Sequence, residues 1–270
     1  MNKALPVRLI ASDLDGTLLD ATGHLSSRTI AAIHAATSAG IVFVAATGRS
    51  HLTAAPRLAP ALPAIRWAVC SNGATVFDLH EQTVVAQNLI TEDHLADLAD
   101  VWDRFEDIGL GWEAGDGFGA DQVFQARHPY ADGLADAPTE RRPPSNGVVK
   151  ILVSHGHLTG SELIDHVRAL VPSELEVASS GAPFVEITAE GVNKAYGLAQ
   201  LTNRLGIDPA ESMVFGDNNN DLAMFAWAGR AVAVANATVE ALAAAHEITD
   251  HHDADGVAVT IEALLRGTRP

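Results

Sequence analysis

Apolar residues along this chain follow two different rhythms. In the first 80 residues, short unbroken apolar runs alternate with stretches of helical spacing. Val7–Ser12, Ile41–Ala46 and Arg66–Cys70 read as buried strands. Between the first two, Ser26 or Ser27 caps a predicted helix that runs to about Ser38, with Ile30 and Ile33 on one face and Gly40 as its stop. A second helix is predicted near residues 50–59, weakened by Pro56. The same alternation resumes after Gly191. There are predicted helices at Lys194–Leu205, Asp221–Trp227, Thr238–Ala245 and Val257–Leu265, and strands at Ser212–Phe215 and Ala231–Val234. Strand–helix repetition of this kind builds a parallel sheet wrapped by helices.

The middle of the chain has another order. Glu92–Asp107 carries Leu95, Leu98, Val101, Trp102 and Phe105 at helical spacing. A Gly- and aromatic-rich hairpin over 109–126 and a Pro-, Gly-, Asp- and Arg-rich loop over 127–147 follow. Then come a strand at Val148–Ser154, a helix at Ser161–Leu170 and strands at Leu175–Ala178 and Phe184–Thr188. That order predicts a smaller α+β unit with an antiparallel sheet. The expected architecture is an α/β protein with a doubly wound, Rossmann-like parallel-sheet core, residues 1–83 and 190–270. An α+β domain at 84–189 is inserted into it.

Polar residues punctuate the strand ends, where ligands bind in open parallel sheets. Asp13, Asp15 and Thr17 follow the first strand, Thr47-Gly48-Arg49 the second and Ser71-Asn72-Gly73 the third. Gly216-Asp217-Asn218-Asn219-Asn220-Asp221 follows a later one, and Lys194 opens a helix. A carboxylate at the end of a buried strand is costly unless a partner or metal offsets it. Hard oxygen ligands of this kind suit Mg²⁺ shared with a phosphate. A calcium loop of the EF-hand type is excluded by its own spacing. It needs Gly at position six and Glu at twelve, but counting from Asp13 finds Leu18 and His24, and counting from Asp217 finds Leu222 and Ala228.

Together, Asp13-Leu14-Asp15-Gly16-Thr17, Ala46-Thr47-Gly48-Arg49, Asn193-Lys194 and Gly216-Asp217-Asn218-Asn219-Asn220-Asp221 resemble the four ordered motifs of the haloacid dehalogenase superfamily. More narrowly, they are similar to its Cof-like phosphatases, whose large cap lies between the second and third motifs. The resemblance implies Asp13 as nucleophile, forming an aspartyl-phosphate. It implies Asp15 as general acid and then base, with Thr47 and Lys194 neutralising phosphate charge. Asp13, the Asp15 backbone carbonyl and Asp217 would hold Mg²⁺, with Asp221 holding a metal-bound water or orienting Lys194. Thr17, Gly48, Arg49, Asn72 and Asn220 would face the substrate phosphate. Ala195 stands where relatives often have Gly after the lysine, a small change at a helix start. Asp255-Gly256-Val257-Ala258 resembles the family's C-terminal turn. The cap sequence carries no recognised motif, and its candidate lining residues do not specify a molecule.

Composition narrows the partners. The 270 residues are 47% hydrophobic and 19% charged, with a formal net charge of −17. Apart from Arg141-Arg142 there is no basic cluster, which argues against nucleic acid and anionic membrane as partners. The anionic substrate must therefore meet a local positive site. The single cysteine, Cys70, rules out an internal disulfide, and no apolar run reaches membrane-spanning length, so a cytoplasmic protein is expected. The expected activity is Mg²⁺-dependent hydrolysis of a small-metabolite phosphate monoester, a sugar phosphate or phosphorylated cofactor. The alternatives are a phosphomutase of the same superfamily and a non-catalytic phosphate-binding regulator. The second would have been marked by loss of a key carboxylate or the lysine, and none is lost.

Overall fold

Strand β1, Leu9–Ser12, is buried along its whole length, and its side chains alternate between two separate cores. Ile10 enters one with Phe43, Met213 and Phe215; Leu9 and Ala11 enter the other with Val44 and Val214. A strand covered on both faces has no use for a polar face, which is why the run reads as continuously apolar. The computed structural model describes residues 7–103, 105–115 and 117–267. By proximity the chain forms two units, 1–86 with 194–270, and 87–193.

In the first unit β1 lies beside β2 (Val42–Ala46) and β11 (Ser212–Gly216), parallel to both. The sheet order is β13-β12-β11-β1-β2-β3-β4-β5. Here β3 is Trp67–Cys70, β4 Thr75–Asp78, β5 Thr83–Gln87, β12 Arg230–Val234 and β13 Glu247–Thr249. Early strands extend one way from β1 and late strands the other, so the order reverses between β1 and β11. Such a switch point leaves a crevice at the carboxyl ends of the strands. One face is covered by α1 (Ser27–Ser38), α2 (His51–Leu58) and α9 (Gly256–Gly267) through Ile33, Leu58 and Ile261. The other is covered by α6 (Lys194–Leu205), α7 (Leu222–Trp227) and α8 (Val239–Ala244) through Leu198, Phe225 and Ala241. Ser26 caps α1 by accepting from the Thr29 amide, as its sequence position predicts.

The second unit is a five-stranded sheet of order β7-β6-β8-β10-β9 whose pairings are antiparallel. Its strands are β6 (Ile108–Ala114), β7 (Gly117–Ala120), β8 (Val148–His155), β9 (Glu176–Ala178) and β10 (Val185–Thr188). One face packs Leu110, Trp112, Ile151, Val153 and Ile187 with residues of α3 (Glu92–Trp102) and α5 (Gly160–Leu170). A short helix, α4 (Gln122–Arg127), sends Phe124 into a smaller cluster with Leu134 and Leu152.

Several elements differ from the sequence reading. After β3 the chain turns back through Ser71–Gly73, with Asn72 at φ 54°, into the antiparallel strand β4. The parallel sheet thus gains a hairpin edge, and β5 carries the first unit to residue 86, three residues beyond the expected boundary. The return falls at 193/194, because Val192 and Asn193 still belong to the second unit. Helix α3 ends at Trp102 rather than 107; Phe105 is buried from the following turn. Arg104, within that predicted helix, lies outside the described residues, as do 1–6, 116 and 268–270.

Candidate active site

Lys194 is the first residue of α6 and is fully buried. Its Nζ donates to Asp13 Oδ1 at 2.5 Å and to Asp221 Oδ1 at 2.6 Å. A helix start is a poor place for a cation, and these two carboxylates provide the compensation. Asp13 follows β1 directly, and its backbone N–H donates to Phe215 O in β11 at 2.9 Å, which ties the two strand ends together. Asp221 uses its other oxygen to accept the amides of Asp217 (2.9 Å) and Asn218 (3.0 Å). The loop after β11 is thereby folded around the same carboxylate that holds the lysine. Gly216 makes this possible, since a Cβ there would lie 2.5 Å from Asp221 Cγ.

Carboxylate oxygens of Asp13, Asp217 and Asp221 lie within 4.8 Å of one another. Three acids face one ammonium, so the fully ionised group carries an excess of two negative charges. Burial pushes the Asp13 carboxyl well above its ordinary range; Lys194 pulls it back, and Asp221 and Asp217 push it up again. Asp217 rises to about 6, first through burial and then through the charge of Asp221, against a hydrogen bond from Thr17 and the charge of Lys194. Burial alone would lower Lys194, but Asp13 and Asp221 outweigh it and hold the amine charged. An all-oxygen donor set with two surplus negative charges fits a small hard divalent cation such as Mg²⁺.

The turn after β1 carries Asp13, Asp15 and Thr17. It closes on itself through Leu19 N–H to Leu14 O at 2.9 Å. Gly16 stands at φ +80°, where a Cβ would also come within 2.7 Å of Asp217 Oδ2. Thr17 Oγ donates to Asp217 Oδ1 at 2.7 Å. The Asp15 side chain does not join the acidic cluster. Both its oxygens are taken by Arg49, at 2.6 Å from Nε and 2.7 Å from Nη2. The Arg49 amide donates to Thr47 Oγ at 3.0 Å, which leaves the buried threonine its own proton to give. Asn72 N–H donates to Thr47 O at 3.0 Å, and Asn220 Nδ2 donates to Asn72 Oδ1 at 3.2 Å.

The structure therefore groups the residues singled out by sequence into two sets. Asp13, Lys194 and Asp221, all buried, form a charged set with half-buried Asp217 and with the buried Thr17 that donates to it. Asp15, Gly48, Arg49, Thr47, Asn72 and Asn220 come from the loops beside it, after β1, β2, β3 and β11. Two residues outside the predicted site touch the turn itself, Asn236 and His252, the latter from a His251-His252-Asp253 segment whose sequence reads as a solvated loop. Asn236 Nδ2 donates to Gly16 O at 2.7 Å, and the His252 ring meets Leu19 O at 2.8 Å. Asn236 follows an apolar strand end, so the polar punctuation that singled out Asp13 was the available signal.

Comparisons with known proteins agree with this geometry. A family profile described as haloacid dehalogenase-like hydrolase matches residues 10–261. The chain is 29% identical to the 5-amino-6-(5-phospho-D-ribitylamino)uracil phosphatase YcsE of Bacillus subtilis, over 94% of each chain. It is 27% identical to the HMP-PP phosphatase of Cronobacter sakazakii, over 87% of each. In fold it resembles the subclass IIB sugar phosphatase BT4131, with a TM-score of 0.82 and 24% identity over 95% of this chain and 98% of that one. Among the described residues no helix is long and apolar enough to cross a membrane.

Proposed function

The chain belongs to the haloacid dehalogenase-like hydrolases and is a phosphatase, and from that premise we propose that it hydrolyses a small-metabolite phosphate monoester, a sugar phosphate or phosphorylated cofactor, through an aspartyl-phosphate on Asp13. The observation that carries this reading is the buried contact of Lys194 with both Asp13 and Asp221, beside Asp217. A carboxylate is a weak nucleophile toward an anionic ester, so positive charge has to be fixed beside it.

In this reading Asp13, the Asp15 backbone carbonyl and Asp217 hold Mg²⁺. When bound, the ion supplies charge that offsets both the crowded carboxylates and the phosphoryl oxygens. Lys194 keeps Asp13 ionised and oriented. Asp221, with one oxygen on Lys194 and the other on two backbone amides, is assigned the orienting role. The Thr47 hydroxyl donates to a phosphoryl oxygen, and Gly48, Asn72, Asn220 and the Thr17 backbone N–H complete the phosphate side, the Thr17 hydroxyl being given to Asp217. Asp13 attacks phosphorus while Asp15 gives its proton to the leaving oxygen. Asp15 then takes a proton from water, which attacks the aspartyl-phosphate, releases inorganic phosphate and restores Asp13. For this Asp15 must leave Arg49, which occupies both its oxygens. The phosphate itself is a competing partner for that guanidinium.

The unit 87–193 is assigned the choice of leaving group, in the manner of an inserted cap. A cytoplasmic setting suits the single buried cysteine. The deciding experiment is a screen of phosphorylated metabolites with Mg²⁺, ranked by kcat/KM. Release of inorganic phosphate supports hydrolysis; return of an isomeric phosphate ester would make the protein a mutase. Inactivity toward every ester, an aryl phosphate included, would remove the reading.

A further inference from the structure

The turn that carries Asp13 and Asp15 is held from outside at two carbonyls. Asn236 Nδ2 donates to Gly16 O at 2.7 Å. His252 Nδ1 lies 2.8 Å from Leu19 O, and since a carbonyl only accepts, this nitrogen carries the proton. A third bond joins the two holders, from the His252 backbone N–H to Asn236 Oδ1 at 3.0 Å. Both ends of the Asn236 amide are thus assigned by their partners. Asn236 lies in the loop after β12, and His252 in the turn between β13 and α9.

What the clamp controls follows from Gly16. Glycine places little restraint on the peptides beside it, yet the Gly16–Thr17 peptide decides where Thr17 points. Thr17 Oγ reaches Asp217 Oδ1 at 2.7 Å. The same loop also grips Asp217 directly, through Thr238 N–H to Asp217 O at 2.8 Å. One loop therefore holds both carboxylate-bearing turns, one by a side chain and the other by a backbone amide.

We propose that Asn236 is a positioning residue that aligns the Asp13–Thr17 turn against Asp217, with His252 as its anchor. The inference rests on the phosphatase reading above. An amide suits the place, because it donates to a carbonyl with one terminal atom and accepts from an N–H with the other. Asp has the same shape but sets an oxygen against Gly16 O, while Leu keeps neither bond.

The test compares Asn236→Asp and Asn236→Leu with the wild-type protein. Both should lose kcat by on the order of 10²-fold, the scale of a misplaced reacting group, with KM changed by less than about threefold. Mg²⁺ affinity, measured by calorimetry without substrate, should weaken by on the order of 10-fold, as for other outer partners of metal ligands. Thr17→Val combined with Asn236→Asp should be little worse than the poorer single variant, because both act on one alignment. Asp208→Ala, which removes the cap of the turn before β11, at the end of that strand away from Asp217, controls for stability alone and should leave the Mg²⁺ isotherm unchanged. Wild-type kcat and Mg²⁺ affinity in both Asn236 variants would overturn the proposal. So would an affinity loss that merely tracks melting temperature and recurs in Asp208→Ala. If the wild-type protein hydrolyses no ester, the phosphatase reading fails, while the calorimetric arm still decides the role of Asn236.

Discussion

Each unit of this protein buries charge in its sheet, and the two do so differently. In the second unit, Lys150 of β8 lies directly across from Glu113 of β6, and its Nζ donates to Glu186 of β10 at 2.7 Å. All three are buried within neighbouring strands. In the first unit, the charged groups sit where strands stop, and three carboxylates share a single lysine. Cross-strand opposite charges favour a sheet register. Carboxylates crowded at strand ends oppose folding unless something else is bound. Burial of charge and a negative surplus are therefore common to both units, and what distinguishes the site is the size of the surplus, two formal charges against one, and its place at strand ends.

The sharpest way to break this contrast is to neutralise Asp13, the proposed nucleophile. Asp13→Asn should cut activity by at least ~10³-fold while melting temperature holds or rises, because one of three crowded charges is gone. Turnover near the wild-type rate would defeat the assignment of Asp13. The metal comes next. EDTA should abolish turnover and Mg²⁺ should restore it, and full activity in metal-free buffer would contradict the reading of the acidic cluster.

The reverse case lies in the second unit. Lys150→Met strands the Glu186 carboxylate and should cost about 3–5 kcal/mol of stability, the scale for breaking a buried pair. Chemical denaturation followed by Trp fluorescence reads this, since Trp102 and Trp112 both pack in that unit's core. A loss no larger than for an exposed pair would show that this charge is structurally idle.

A smaller effect concerns pH. Asp217 stands at about 6 in the folded protein against an ordinary 3.8. The folded state thus holds this proton more tightly than the unfolded chain. The resulting stability is complete below about pH 4 and is lost as pH rises through about 6. Metal-free protein should melt lower at pH 7.5 than at pH 5.5 by about 3 °C from this group, and Mg²⁺ should narrow the gap. Smallest of all, Thr91→Ala removes the cap that accepts the His94 amide at the start of α3 and should cost about 1 kcal/mol. Differential scanning calorimetry should show that loss in the transition of the second unit alone if the two units unfold separately.

Much of this was legible in the chain itself. The runs that became β1, β2 and β11 are buried on both faces, so their apolar continuity was a direct signal. Asp13, Lys194, Asp217 and Asp221 could be found because charge at a strand end or helix start is anomalous. Other elements gave weaker signals. The β3–β4 hairpin turns on Asn72-Gly73, a pair as common in hairpins as it is suited to a ligand loop, so the residues alone do not choose between the two. Helix α4 has six residues, too few to show a period, although Asp121 caps it. Strand β13 is a three-residue edge with Ile248 exposed. Asn236 and His252 act on backbone carbonyls more than 200 residues away. A carbonyl is present at every residue, so no spacing in the sequence points to its partner.

The position of β1 between β2 and β11 also sets a timetable. Its β2 neighbour is synthesised soon after it, but its β11 neighbour lies about 200 residues downstream, as does the Thr17–Asp217 contact. At ~5–20 residues per second, one edge of the nascent β1 waits about 10–40 s for its partner. Over most of that wait Lys194 does not yet exist, so the acidic turn cannot be enclosed with its counter-charge. The second unit, whose strands all fall within 108–188, has its whole sheet available before β11 emerges. Birth order therefore favours an inserted unit that folds first, while Asp13 stays in water until the last third of the chain arrives.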